Sequence, residues 1–568
     1  MFATIDIETT GLNRYKDKIT WIGVGLSKSI DEPIFKNRIF DGSNQESMNQ
    51  FKAFVDKMSK NKVKTVFQNG KFDALFIEEK LGIRIPIHED VMLMGTAYDL
   101  VEEHGLKKMA QRYLGVCDWD ISKKEKLSGN SESVVPYLKF DLKYTWELFQ
   151  YFMKNMNAQQ MKIYRKLLKP AYLTYRDIER NGAYIDVKKL REVRKSYYLK
   201  EQEALSKLNA KYKINWNSAG QIQDVLFNKE KMPVLSKSEK TGKPSAGASV
   251  LKKLANKGYE IPQMILDYKA VNTLNKMFLN RWEDDLGSDL RIHPSFNLTN
   301  VRTGRTSCQN PNLQQVPRNL DVRSLFNAPP GRLFFEADYS QLELRIAADY
   351  SGDKTMLDIY HNNGDIHTTT AKLMTGGREP TKEERGKAKA VNFGFLYGMS
   401  AKKFVEYAYD SYGVVFTRSE AETFRELFFA KYNRLLPWHH EQELLCEALG
   451  GVANKFGRFR KLPDIYSSNK YEYSGAVRRA INTPVQGTGS DLLISAVTQI
   501  NREFKDYGVK IVGTVHDSIL GEFREQDKDW IVPEIRRIML HPQCLDDFEV
   551  ELKVPLEVDI GVGPWGTH

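Results

Sequence analysis

Arg385-Gly-Lys-Ala-Lys389-Ala-Val-Asn-Phe393-Gly-Phe-Leu-Tyr397-Gly398 is the stretch on which the reading of this chain turns. Arg385, Lys389, Phe393 and Tyr397 recur every fourth residue, and on a helix such residues share one face. That face carries two cations and then two aromatic rings. A core stripe would be apolar throughout, and a solvent stripe would not keep a Phe and a Tyr in register with charges. Taken alone, the segment reads as an amphipathic helix with buried rings and snorkelling cations. Beside the acidic segments described below, the order suits a nucleoside triphosphate, with cations for the phosphates and rings for the base.

The surrounding chain has 568 residues, enough for several domains with separate cores. Its 41% hydrophobic and 28% charged composition is that of a globular protein. A net charge of +11 is consistent with a polyanionic partner. No apolar run approaches membrane-spanning length. The start, Met1-Phe-Ala-Thr-Ile-Asp6-Ile-Glu8, lacks a signal-peptide pattern and carries acids where a transit peptide avoids them. Cys117, Cys308, Cys446 and Cys544 are scattered without metal-ligand spacing and imply a reducing compartment.

Residues 1–155 read as α/β. Strand-like runs at 2–7, 19–26 and 65–68 alternate with helix-like runs at 48–58, 72–80 and 106–113. A boundary is placed at about 155–170, near Pro170. Residues 186–290 read as long charged helices, interrupted by the polar, basic segment 236–249. That segment is expected to be a mobile loop, either a plain linker or a contact for a phosphate backbone. Strands return after Arg291: an apolar run ends on Asp338, and 509–523 reads as a hairpin with His516-Asp517 at its turn. Helices fill about 352–500. The expected fold is thus α/β and α+β over several domains.

Two acidic constellations stand out. Asp6 and Glu8 are two apart on a strand and face the same way. With no cation between them they repel unless a metal ion sits there. Asn69-Gly-Lys-Phe72-Asp73 opens a helix, and Tyr137-Leu-Lys-Phe-Asp141 puts a phenol and an acid on one helical face. Four carboxylates and a tyrosine can hold two divalent ions about 4 Å apart and orient a water toward a phosphodiester. In the second set, Asp338 and Asp517 each end or punctuate an apolar strand, and are expected to come together in a sheet with no basic residue immediately beside them. Adjacent strands would pair them as a two-metal site for phosphoryl transfer, with Arg385 and Lys389 neutralising the β and γ phosphates.

The first set resembles the 3′→5′ proofreading exonucleases of the four-acid type with a tyrosine in the last motif. Asp-x-Glu is matched by Asp6 and Glu8, Asn-x-x-x-Asp by Asn69 and Asp73, and Tyr-x-x-x-Asp by Tyr137 and Asp141. The resemblance implies that the four acids are metal ligands and that Tyr137 positions the water. The second set closely resembles the A-family DNA polymerases. Asp338-Tyr-Ser-Gln341-Leu-Glu343-Leu-Arg345 is similar to their first palm motif, Arg385 through Gly398 to their fingers helix, and Val515-His516-Asp517 to their third motif. Thr303-Gly-Arg305 through Asn312-Leu-Gln314, Asp365-Ile-His367, Arg478 through Gln486-Gly, and Val554 through Trp565 add to the match.

That resemblance implies a right-hand polymerase after an RNase H-like exonuclease. The exonuclease would occupy 1–155 and the polymerase 156–568, with thumb at about 187–290, palm at about 291–360 and 490–568, and fingers at about 361–489. Asp338 and Asp517 would hold the metals. Glu343 would block a ribose 2′-hydroxyl, and His367, Arg385 and Lys389 would contact the triphosphate. Gln341 would lie near the nucleotide, Tyr397 beside the templating pair, and Phe393 would discriminate against dideoxynucleotides. Arg305, Asn482 and Gln486 would read the primer–template minor groove without sequence preference; Asn312, Gln314, Arg478 and His516 join them as DNA-contact candidates. The implied cofactor is Mg²⁺, two ions per active site, with Mn²⁺ able to substitute. The implied partners are primer–template DNA and deoxynucleoside triphosphates, for a monomeric, cytoplasmic enzyme of phage or bacterial type without a membrane. Helicase, primase or processivity factors are not identifiable from the sequence. One departure is plain: the third motif usually reads His-Asp-Glu, and here it is His516-Asp517-Ser518. The nearest rival is a single-subunit RNA polymerase, against which Glu343 and the complete exonuclease set argue. A nucleic-acid-binding scaffold with dead sites is the other, and the full set of acids speaks against that.

Overall fold

The computed structural model describes residues 1–238 and 241–567, so Glu239 and Lys240 of the basic segment lie outside the described residues. The chain divides into two compact units. One comprises residues 1–182, 294–310 and 335–561, and the other 183–293, 311–334 and 562–568.

In the first unit, a five-stranded sheet runs in the order Lys36–Asp41, Ile19–Ser27, Phe2–Thr9, Lys64–Phe67, Glu89–Asp90. The central strand Phe2–Thr9 is antiparallel to Ile19–Ser27 and parallel to Lys64–Phe67. Its period-two pattern buries Ala3, Ile5 and Ile7 on one face and turns Asp6 and Glu8 to the other, opposite Gly23 and Trp21. Gly23 has no side chain, so the helix Ser131–Asn155 packs close there: a Cβ on Gly23 would come 2.9 Å from Leu138 and Leu142. The helix that roofs the acidic face is therefore the one carrying Tyr137 and Asp141.

A second sheet runs in the order Lys510–Val515, Ser518–Arg524, Arg332–Tyr339, Val558–Val562. Val515 pairs with Ser518, so His516 and Asp517 form a two-residue turn. His516 takes φ +54°, the left-handed conformation that such turns require. Tyr339 N donates to the Asp517 carbonyl (3.3 Å), which brings the end of the Asp338 strand to that turn.

Helical turns from Ala158 to Asn181 join the regions around the two sheets. Tyr172 OH accepts from Lys71 N (2.9 Å), Tyr175 OH meets Thr514 Oγ1 (3.0 Å), and Asn181 Nδ2 donates to the Ile511 carbonyl (2.9 Å). Lys71, on Gly70–Leu81, and Glu179, on Lys169–Asn181, form a buried ion pair. Such a pair holds its partners in one arrangement, because losing either member strands a buried charge.

The other unit is mainly helical. Trp216, Leu226, Leu251, Leu254 and Ile265 form its core. Trp282, Phe326 and Trp565 meet edge to face at 4.9 and 5.5 Å, drawing together three segments far apart in the chain. Within the segment 236–249, Ser245 N donates to the Ser236 carbonyl and Ser238 N to the Lys243 carbonyl (2.9 Å each). Among the described residues, no helix is long and apolar enough to cross a membrane.

Candidate active sites

On the first sheet, Asp6, Glu8 and Asp141 each bring a carboxylate oxygen within 4.8 Å of the others. Asp73 stands beside them in the first turn of Gly70–Leu81, a helix that starts where Asn69 adopts a left-handed conformation. Its Oδ1 accepts the Ile7 amide (2.9 Å). Burial and the crowding of like charges push the Glu8, Asp6 and Asp73 carboxyls up. Glu8 rises to about 7, chiefly through burial and then Asp141, with Lys107 and Lys126 opposing. Asp6 is raised well above its usual range by burial, Asp73 and Asp141. Burial also raises Asp73, against the amides that bond it. A hard divalent cation relieves this crowding, and the clustered oxygens are its preferred ligands. Tyr137 is buried beside the acids, and burial together with Asp141 keeps its phenol protonated.

The sequence placed no cation among these acids; the structure does. Lys107, on Leu106–Leu114, donates to both oxygens of Asp141 (2.9 Å each) and to Tyr137 OH. Its ammonium lies 4.2 Å from the centre of the Tyr137 ring. Trp119 Nε1 donates to the same carboxylate (2.6 Å). These contacts span 34 and 22 residues of chain, and no spacing pattern announces them.

On the second sheet, Asp338 is exposed near the end of its strand and Asp517 is half-buried in the hairpin turn. Burial pushes Asp517 up to about 6, with Arg305 opposing and Glu343 adding to the rise. Arg305 comes from a loop more than two hundred residues away in sequence. Arg305 also pairs with Glu343. Gly304 makes this possible: at φ +84° it sits against the Arg458 guanidinium, which would lie 2.5 Å from a Cβ. Arg458 in turn is held by the buried Asp491 (2.5 Å).

The helix Lys382–Leu396 buries Ala388, Val391, Asn392, Phe395 and Leu396 and leaves Arg385, Lys389, Phe393 and Tyr397 on its open side. Arg385 Nε donates to Asp365 Oδ2 (2.6 Å), whose Oδ1 accepts from Gln341 Nε2 (3.1 Å). Despite burial, bonds from Arg385, Thr368 and the His367 amide hold Asp365 down to about 2. Gln341 sits in the left-handed conformation at the start of Leu342–Ser351. Tyr397 OH, at the other end of the stripe, donates to Glu343. Between them lies His367, its ring centre 5.8 Å from that of Phe393. His367 is buried, and burial outweighs Asp365 to lower it to about 4, with Lys389 and Arg385 adding to the fall. Thr370 Oγ1 donates to Asn392 Oδ1 (2.8 Å), so the Asn392 amide faces His367 Nδ1 (2.7 Å) and leaves the proton on Nε2.

Arg478, Asn482 and Gln486 recur every fourth residue on Lys470–Phe504, at the positions that stay partly exposed while Ala480, Ile481, Thr483, Pro484, Val485 and Gly487 are buried. His516 is exposed at the turn. Asn312 and Gln314 belong to the other unit, where Asn312 caps Leu313–Gln315 by accepting from Gln314 N (3.0 Å).

Comparison with known proteins follows the same division. The family model for a 3′-5′ exonuclease matches residues 3–157, and that for DNA polymerase family A matches residues 187–567. DNA polymerase I of Pseudomonas aeruginosa is 31% identical over 506 residues, covering 83% of this chain and 54% of that protein. The thermostable DNA polymerase I of Thermus aquaticus is 32% identical over 416 residues, covering 71% of this chain and 48% of that protein. The chain thus spans about half the length of these curated relatives. Among solved structures, the POL domain of Pol1 from M. smegmatis, in complex with DNA primer-template and dNTP, superposes with a TM-score of 0.81 at 23% identity, over 100% of this chain and 95% of that one. That likeness concerns the fold. With two thirds of its length matched by one family model, the chain belongs to DNA polymerase family A.

Proposed function

We propose that this chain is a DNA-dependent DNA polymerase that extends a primer 3′ end with deoxynucleotides and trims that end with its own 3′→5′ exonuclease. The observation that carries the reading is a carboxylate cluster on one sheet together with a second sheet on which the end of the Asp338 strand meets the Asp517 turn, each in a segment matched by its own family model. We assign the exonuclease to 1–155 and the polymerase to 156–568, with thumb, palm and fingers as the sequence divides them.

The residues fit divalent ions. Asp6, Glu8 and Asp141 offer converging oxygens, Asp73 adds a fourth acid, and Asp338 and Asp517 serve the polymerase centre. Bound Mg²⁺ at each centre supplies Lewis acidity, lowering the pKa of the attacking hydroxyl or water and offsetting charge on the leaving oxygen. In extension, the primer 3′ oxygen bonds to the α phosphorus, the bond to the β-phosphate oxygen breaks, and pyrophosphate leaves. Arg385, Lys389 and neutral His367 face that leaving group, the first two as cations and the last as an Nε2–H donor. Glu343, held by Tyr397 and Arg305, closes the space beside the sugar. Arg305, Asn482 and Gln486 touch the minor groove. In trimming, Tyr137 as a neutral phenol orients the water, while Lys107 and Trp119 fix the Asp141 carboxylate.

A labelled primer–template with Mg²⁺ and deoxynucleotides, ribonucleotides or no nucleotide tests the reading. Extension with deoxynucleotides alone, and shortening when none are given, is expected; equal extension with ribonucleotides would reject it. Phe393→Tyr should raise dideoxynucleotide incorporation relative to deoxynucleotide about ten- to a hundredfold, because a phenol can replace the hydrogen bond lost with the 3′-hydroxyl. An unchanged ratio in a competition assay excludes Phe393 from that role.

The trimming centre should also show a proton–metal competition. Glu8 holds its proton up to about pH 7, and a carboxylate must be ionised to bind a cation. At subsaturating Mg²⁺ the trimming rate should therefore climb between pH 5.5 and 7.5 and level off above, and Glu8→Gln should flatten the climb. A rate independent of pH at low Mg²⁺ counts against Glu8 as a ligand. Primer–template DNA and deoxynucleoside triphosphates are the partners this reading requires, and a cytoplasmic monomer satisfies it.

A further inference from the structure

The residue after Asp517 is Ser518, which departs from the His-Asp-Glu form that the resemblance described above leads one to expect. The structure offers a replacement from the neighbouring strand. Glu336 lies two residues before Asp338 on Arg332–Tyr339, so both side chains leave the same face of the sheet, as Asp6 and Glu8 do in the first sheet. Ser518 begins the adjacent strand, directly after Asp517. Its buried hydroxyl donates to the Val515 carbonyl (2.8 Å) and stands 3.3 Å from Glu336 Oε1. The Glu336 carboxylate thus occupies the space immediately over residue 518. A glutamate at 518 would thrust its own carboxylate into that space, and two acids there would repel. One position or the other can hold the acid.

We propose that Glu336 supplies the third carboxylate of the polymerase centre, reaching from the first palm strand into the place that Ser518 leaves open. It would join Asp338, two residues on along the same strand face, and Asp517, the neighbour of Ser518, and strengthen the hold of that centre on its divalent ions. This rests on the polymerase reading above, and its test separates the two. In full-length protein carrying Asp6→Ala and Glu8→Ala to silence trimming, Glu336→Gln, Glu336→Ser, Ser518→Glu and the exchange Glu336→Ser/Ser518→Glu are compared. Mn²⁺ binding by electron paramagnetic resonance, with primer–template present, reads the site without chemistry. Single-nucleotide extension across a Mg²⁺ titration reads its use.

Glu336→Gln and Glu336→Ser should weaken Mn²⁺ binding and raise the half-saturating Mg²⁺ by about tenfold or more, with primer–template affinity unchanged. The exchange variant should recover to within about threefold of the parent, which a purely structural role for Glu336 would not produce. If Glu336→Gln leaves the metal requirement where it was, or the exchange is no better than Glu336→Ser, the proposal is overturned. A parent that fails to extend any primer strikes the polymerase reading, and the Mn²⁺ measurement still decides on Glu336.

Discussion

Asp517→Asn is expected to lower primer extension by at least about a thousandfold, leave 3′ trimming in place, and make the metal-free protein more heat-stable. The activity loss follows from removing one charge at a centre where Asp517, Asp338 and the end of one strand meet the turn of another. The stability gain follows from the electrostatics. Burial holds Asp517 at about 6 in the folded chain, above its ordinary 3.8. A carboxyl raised on folding favours the folded state below pH 3.8, and that contribution is lost as pH rises through 6. At pH 7.5 the ionised side chain therefore costs the metal-free fold about 1–3 kcal/mol, a cost that an asparagine of the same shape does not carry. Melting in a chelating buffer should show the gain growing between pH 4 and 6.5 and levelling beyond. Wild-type extension by Asp517→Asn would remove the residue from the chemistry, and an unchanged melting point at pH 7.5 would remove the argument from burial.

Asp6→Ala together with Glu8→Ala is expected to abolish 3′ shortening, by at least about a thousandfold, and to keep extension within about twofold of the parent. The two acid clusters rise from different sheets, so deleting one should not reshape the other. The paired substitution also removes two carboxylates that burial and mutual repulsion push up, so it should not destabilise the first sheet in the absence of metal. A labelled oligonucleotide incubated with and without deoxynucleotides measures both activities in one gel. Parallel loss of both would mean that the two centres are not independent.

Much of this molecule is written in short-range spacing. Alternation over residues 2–9 puts Asp6 and Glu8 on one face of a strand, and a four-residue interval does the same for Tyr137 with Asp141 and for Arg385 through Tyr397 on their helices. The apolar runs flanking His516-Asp517 specify a hairpin with those residues at its turn. These features depend on neighbours within one or two turns of chain, so the periodicity of a strand or a helix suffices to state them.

What only the tertiary structure decided lies across long gaps. Lys107 enters the first acid cluster from 34 residues before Asp141, Arg305 comes to Glu343, and Glu336 comes to lie over Ser518 from 182 residues away. The helical turns 158–181 belong with residues on both sides of them, and residues 562–567 close onto a unit that begins at 183. None of these has a period. Each is set by which faces happen to be buried against each other, and a single lysine, arginine or glutamate carries no mark in the sequence of the partner that folding will bring to it.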